Sequence, residues 1–431
     1  MSEVPKGWKE VLVKDIFHVE TGTTPPTGVK EYWEKGTVNW YTPVDLSKIT
    51  ETIYLPESER KITARAVKEV GLRIIPPNSI IVSTRAPVGY VGLTLVESTF
   101  NQGCKGLVPK KSDVFTEFFA YYLRWIRPKL EKYSGGSTFQ ELKKEALESL
   151  ILLKPPLPEQ RKIVEVLSKV DSLIEKTEKI IEKYERIKRG LAQDLLTRGI
   201  DENGRIRSEE THEFKDSPIG RIPKEWKVVK LGDISFLKAR IGWQGLRADE
   251  YLEKGDYYLV TGVNFKNGKI DWDSCVYISK RRYDMDKNIQ LKIGDVLVTK
   301  DGTIGKVVYV DYLPKPATLG TGVFVLRPVN GSYEPLYMYH VLTSFIFERF
   351  MENLKAGSTI THLYQKDFVL FEFPLPPLQE QRRIAQVLSQ VDNILEKERR
   401  ELEKLKRLKR GLMNDLLSGK VRVTPLLEAS K

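Results

Sequence analysis

PPLPEQRKIVEVLSKVD begins at Pro155, and PPLQEQRRIAQVLSQVD begins at Pro376, 221 residues later. At that offset Pro155–Thr197 aligns on Pro376–Ser418 without a gap, and 24 of the 43 pairs are identical. Both copies close on the same pattern, KRGLAQDLL from Lys188 and KRGLMNDLL from Lys409. A repeat this long decides the architecture before any single element is read. It extends upstream, where GGSTFQEL at Gly135 answers AGSTITHL at Ala356. Fainter matches open and cross each copy: VPKGWKEVLVKDI at Val4 with IPKEWKVVKLGDI at Ile222, and NSIIVSTRAPVG at Asn78 with GDVLVTKDGTIG at Gly294. The ends of the copies are alike and their middles diverge.

The repeat divides the chain into a globular region over 1–154, a long helix over 155–199 and a polar linker over 200–221. A second globular region over 222–375, a second helix over 376–418 and a tail over 419–431 follow. From Glu159 to Thr197 there is no proline and one glycine, Gly190. Prolines are tolerated at a helix start, and Glu159 in the first turn suits the helix dipole. Thirty-nine helical residues reach roughly 58 Å at about 1.5 Å per residue.

Both helices carry a seven-residue apolar repeat. In the first, Ile163, Val170, Thr177, Tyr184 and Leu191 alternate with Leu167, Ile174, Ile181, Lys188 and Leu195. In the second, Ile384, Val391, Glu398, Leu405 and Leu412 alternate with Leu388, Leu395, Leu402, Lys409 and Leu416. The polar interruptions fall at equivalent points, Thr177 with Glu398 and Lys188 with Lys409. Helices that share a seam and its defects are expected to pair as a coiled coil. The polar positions suit either register setting or a surface for another protein. Basic runs such as LKRLKRG from Leu405 suit phosphates or a solvated helix face.

A net charge of +12 favours a polyanionic partner such as nucleic acid. Hydrophobic and charged contents of 41% and 30% describe a globular chain, and no apolar run approaches the roughly 20 residues of a membrane span. The start, MSEVPKGWKE, lacks a signal-peptide pattern, which predicts a cytoplasmic protein with no membrane partner. Cys104 and Cys275 are the only cysteines, too few for a disulfide framework or a zinc cluster. The four histidines have no metal-ligand spacing, and the glycine-rich fragments complete no phosphate or dinucleotide motif. Asp295 and Lys300 have the spacing of a nuclease carboxylate–lysine pair, but Ser79 and Thr84 stand at the equivalent positions. The expectation is a non-catalytic chain without cofactor or metal.

The globular regions read as mixed α/β, with short β-rich runs such as SIIVST, GYVGLTLV, DVLVTK and KVVYV between Gly/Pro/Asn turns. TEFFAYYLRWI and PLYMYHVLTSFIFERF read as helical. Thr, Asn, Gln, Arg and aromatic side chains in the intervening loops can hydrogen-bond base edges and phosphates or pack on sugars. The candidates in the first region are Trp40, Tyr41, Thr42, Arg85, Asn101, Gln102 and Thr138. Those in the second are Arg240, Trp243, Gln244, Thr261, Asn264, Lys300 and Thr359. Arg85 and Lys300 sit at equivalent strand-to-loop transitions, and Thr138 and Thr359 equally suit a helix N-cap. Trp8 and Trp226 are equivalent and read as packing residues.

Two variable regions alternating with two near-identical helices, each opened by PPLxEQ and closed by KRGLxxDLL, with PKxW at the start of each region, resemble the DNA-specificity (S) subunit of type I restriction–modification enzymes. The resemblance covers essentially the whole chain. It implies an α+β protein with two mixed α/β target-recognition domains in tandem, each followed by a long helix, the two pairing as an antiparallel coiled coil. Each domain would read one half of a split double-stranded DNA site, and the helices would set the spacing and dock modification (M) subunits. Those M subunits would hold S-adenosylmethionine and methylate adenine, while restriction (R) subunits would use ATP and Mg to translocate and cleave. The alternative is a two-headed coiled-coil scaffold that binds RNA or proteins, which explains the duplication but not the repeated motifs.

Overall fold

The computed structural model describes residues 4–85, 87–134, 141–240, 246–355 and 362–428. It forms two compact units, one of Met1–Ile180 with Glu398–Lys431 and one of Ile181–Lys397. The units do not follow chain order. Each takes one globular region and one half of each long helix, because a helix longer than its own domain must bury the rest of its stripe elsewhere.

In the first unit the strand Lys9–Leu12 pairs antiparallel with Ile151–Lys154, bringing the two ends of the globular region together. Between them lies an antiparallel sheet in the order Phe17–Thr21, Cys104–Pro109, Ile80–Ser83, Val91–Leu93. A smaller sheet runs Lys61–Ile62, Val38–Tyr41, Ser98–Phe100, with the last pair parallel. The helix Thr116–Trp125 buries Phe118, Phe119, Tyr121 and Leu123 against the larger sheet's core residues Val82, Val91 and Leu107.

The second unit repeats this plan through its divergent middle. Lys227–Lys230 pairs with Glu372–Leu375. The larger sheet runs Ser235–Ala239, Val323–Pro328, Val296–Thr299, Val307–Tyr309. The smaller runs Val276–Ile278, Tyr257–Val260, Ala317–Leu319, again with its last pair parallel. The run PLYMYHVLTSFIFERF is two helices, Pro335–Leu342 and Phe345–Lys355, not one. Ser344 breaks it by donating its hydroxyl to the Val341 carbonyl and accepting from the Ile346 amide. Such local side-chain bonds compete with helix continuation.

The central helix spans Leu157–Thr197 and the C-terminal helix Leu378–Leu417. Seam residues Ile163, Leu167, Val170, Ile174, Ile181, Leu195, Ile384, Leu388, Val391, Leu395 and Leu416 are buried; Tyr184, Leu191, Leu402, Leu405 and Leu412 are half-buried. The first turns of each stripe also serve the domains: Ile163 and Leu167 join one core, and Ile384 and Leu388 the other.

Candidate DNA-recognition site

The motifs that repeat converge, in each unit, on one joint. Glu159 and Gln160 of PPLPEQ are buried at the start of the central helix. Trp8 of PKGW donates its indole N–H to Glu159 Oε2 at 3.3 Å. Arg422, just beyond the C-terminal helix, forks onto the same carboxylate at 2.6 and 3.1 Å. Gln160 accepts the Phe115 amide at 2.8 Å and donates to the Asp113 and Pro155 carbonyls. The second unit builds the mirror set. Trp226 donates to Glu380 Oε2 at 3.1 Å, Arg207 pairs with both oxygens of Glu380, and Gln381 accepts the Glu334 amide at 2.9 Å. A bidentate guanidinium and an indole donor satisfy a carboxylate that burial alone would make costly.

Each joint needs a glycine after the incoming helix. Gly199 and Gly419 hold left-handed backbones at φ +71° and +70°. A Cβ at Gly199 would lie 2.4 Å from the Trp226 ring, and one at Gly419 would lie 2.4 Å from Pro5. The stretches read as linker and tail therefore supply the arginines. Arg207 is 8% exposed and Val423 is buried. The GRIR at Gly204 and GKVR at Gly419 that carry them are short, and only the paired carboxylates give them meaning.

The lysines that interrupt the seam are paired too. Lys409 reaches Asp171 at 2.8 Å, and Tyr121 donates its hydroxyl to the same carboxylate at 2.6 Å. The equivalent pair in the other unit is Lys188 with Asp392 at 2.5 Å. There His340 replaces Tyr121, with Nε2 2.9 Å from Ser389 Oγ and Nδ1 3.9 Å from Asp392. Burial, with Lys188 adding to it, pushes the His340 pKa down to about 3, so the ring is neutral. Lys406 of the basic run pairs with Glu178 at 3.0 Å and with Glu51 at 3.3 Å, which makes it part of the helix contact. In both units the pairs run antiparallel along the helices and fix register.

The loop candidates separate by burial. Trp40 is buried, donating its indole N–H to the Thr23 carbonyl at 3.0 Å and standing edge-on to Trp33. Tyr41 donates to the Pro56 carbonyl at 2.6 Å, and burial pushes its pKa up to about 12. Thr42 caps the short helix Pro43–Ser47 by a reciprocal bond with Asp45. Thr261 and Asn264 make the equivalent cap in the second unit, with the Thr261 amide and hydroxyl 2.8 and 2.9 Å from Asn264 Oδ1. Arg240 is 2% exposed and donates to the Leu319 carbonyl and the Thr318 hydroxyl. These six serve the framework of the free protein.

Four others remain within reach of a ligand. Arg85 is half-exposed and pairs with Glu141 at 3.2 Å. Asn101 accepts the Gly103 amide at 3.0 Å, beside exposed Gln102, which accepts from the Thr24 hydroxyl. Lys300 lies 5.6 Å from the Phe324 ring, and its backbone bonds to Gly322 and Leu363 match those of Thr84 to Gly103 and Leu142, so its counterpart is Thr84 and not the expected Arg85. Thr138, Trp243, Gln244 and Thr359 fall outside the described residues. Asp295, forked by Arg327 at 2.6 and 2.7 Å, is a structural carboxylate. Both cysteines are buried and free, and burial pushes the Cys275 pKa to about 12. Among the described residues no His/Cys/Asp/Glu group could hold a metal, and no helix is long and apolar enough to cross a membrane.

Two like-folded units, each fastened to the ends of two repeated helices and each presenting a different set of polar loop side chains, define a tandem binding protein with a constant frame and variable heads. The family model for the type I restriction modification DNA specificity domain matches residues 5–186 and 223–407. The chain is 31% identical to the type I restriction enzyme MjaIX specificity subunit of Methanocaldococcus jannaschii, over 99% of this chain and 96% of that protein. It is 26% identical to the EcoKI specificity subunit of Escherichia coli over 47% of this chain and 44% of that one. A crystal structure of the type I restriction–modification S subunit from M. genitalium shares the fold, with a TM-score of 0.61 and 17% identity, over 96% of this chain and 97% of that one. The chain belongs to the family of type I restriction–modification DNA-specificity subunits.

Proposed function

We propose that this specificity subunit reads a split duplex site, one half per unit, with the paired helices setting the distance between the halves. The observation that carries the reading is the repetition of the whole joint: Trp8–Glu159–Arg422 and Lys409–Asp171 recur as Trp226–Glu380–Arg207 and Lys188–Asp392. A frame built twice in this way suits two half-sites, as in dimeric DNA readers. A helix of 41 residues is about 60 Å long, enough to span more than one ~35 Å turn of duplex.

In this reading the chain is not itself an enzyme. M subunits bind S-adenosylmethionine and methylate adenine, and R subunits use ATP and Mg for translocation and cleavage. Arg85, Asn101, Gln102 and Lys300 are contact candidates on this chain because they are polar and not consumed by the framework. Selection from a random duplex library, with and without the neighbouring methyltransferase subunit, tests the reading. Two short motifs at a fixed separation support it. No enrichment in either condition would favour a scaffold for RNA or protein instead.

A further inference from the structure

Lys105 lies near the start of the strand Cys104–Pro109, opposite Val82 on one side and Thr21 on the other. Leu107, two residues on, is in the core, and strand alternation puts Lys105 on that same face. The residue as a whole is 6% exposed, no ion pair ties it to a carboxylate among the described residues, and its ammonium is not one of the buried atoms left without a partner, so its tip is not sealed in the core. Glu141, the carboxylate that acts on its charge, is tied to Arg85 by an ion pair and by a backbone bridge. Lys144, also close, pairs with Glu148 at 3.6 Å. Burial pulls the Lys105 pKa down; Glu141 opposes this, and Arg85 and Lys144 add to it. A largely buried lysine beside two other cations is a cost to the folded chain.

The fold does not require that cost. In the second unit the strand pairing that sets Lys105 against Val82 sets Phe324 against Val298. Phe324 is buried and packs into the core. An apolar side chain thus serves the same place, and the charge in the first unit has another use. Arg85 lies close enough to act on its charge, and Asn101 and Gln102 lie in the turn just before its strand. The second unit has Lys300 and the Asp301–His362 side-chain contact and bridge there instead.

We propose that Lys105, with Arg85 beside it, is a DNA-acceptor site of the first unit, its ammonium donating to an electron-rich oxygen or nitrogen of the half-site that this unit reads. The inference rests on the split-site reading above. Two sources share that chemistry, a backbone phosphate and a base edge such as guanine O6/N7. Lysine suits either as a point charge with rotatable donors.

The test uses the full chain with its methyltransferase partner and the variant Lys105→Met, which keeps length and removes charge. Duplex binding is measured over a salt series and against every single-base change in both halves. About tenfold weaker binding is expected, with a melting temperature equal to or above that of the wild type and an unchanged second half-site. A uniform loss with the salt slope reduced by about one identifies a phosphate. A preference erased at one base pair of the first half identifies a base. Affinity, slope and preference all unchanged would overturn the proposal, as would a loss that merely tracks a fall in stability. Lys105→Gln supplies the same readout if the methionine variant does not fold. A wild-type chain that selects no split site would instead bring down the reading itself.

Discussion

The two units are built to one plan but differ in how deeply they bury its polar joints. In the second, the Arg207 and Glu380 side chains are 10% and 2% exposed; in the first, those of Arg422 and Glu159 are 26% and 5%. Asp171 accepts a hydrogen bond from a tyrosine in the first unit, and its equivalent Asp392 faces a neutral histidine 3.9 Å away in the second. The frame tolerates such exchanges because it needs a filled place, not a particular side chain. Glu and Trp keep their identities in both joints because both must present one specific donor or acceptor to a buried partner.

The largest test of that contrast removes the carboxylates. Glu380→Ala strands a buried guanidinium and an indole N–H and should cost about 3–5 kcal/mol. Glu159→Ala, whose arginine can reach water, should cost about 1–3 kcal/mol. Calorimetry on the two variants checks the order, and equal losses would mean that burial does not separate the joints.

A second contrast concerns acid. The native pKa of His340 lies below its unfolded value, so the unfolded chain binds the proton first. Its contribution is complete above about pH 6.5 and is lost as pH falls toward 3, at roughly 1.4 kcal/mol per unit. Lys188 and Asp392 face the ring and set its surroundings. Between pH 6.5 and 5 the wild type should lose about 2 kcal/mol more than His340→Gln, measured by denaturant unfolding at each pH. Parallel curves would show that the second unit has no such titration.

The seam lysines give the smallest difference. Lys409 is 9% exposed and touches Asp171 and Glu51, whereas Lys188 is 24% exposed with one carboxylate at contact distance. Lys409→Ala should cost about 2 kcal/mol and Lys188→Ala about 1. Reversed values in thermal unfolding would place register control in the second unit.

Much of the frame was legible because it repeats. A constant offset exposed both helices, their seam and its interruptions. The loop candidates were less legible for a physical reason. Thr42, Thr261 and Asn264 belong to residue types that read nucleic acid and also close turns, and in this chain they cap short helices. Trp40 and Arg240 were picked for chemistry that the core can also use.

The amino-acid sequence by itself determined the duplication, the helix lengths and the places where polarity breaks the seam, since all of these depend on spacing along one chain. Only the tertiary structure decided which half-helices share a unit, that Arg207 and Arg422 complete the two joints, and that Lys105 stands where its counterpart is Phe324. Those outcomes turn on partners 151 to 263 residues apart and on burial, and local spacing carries neither.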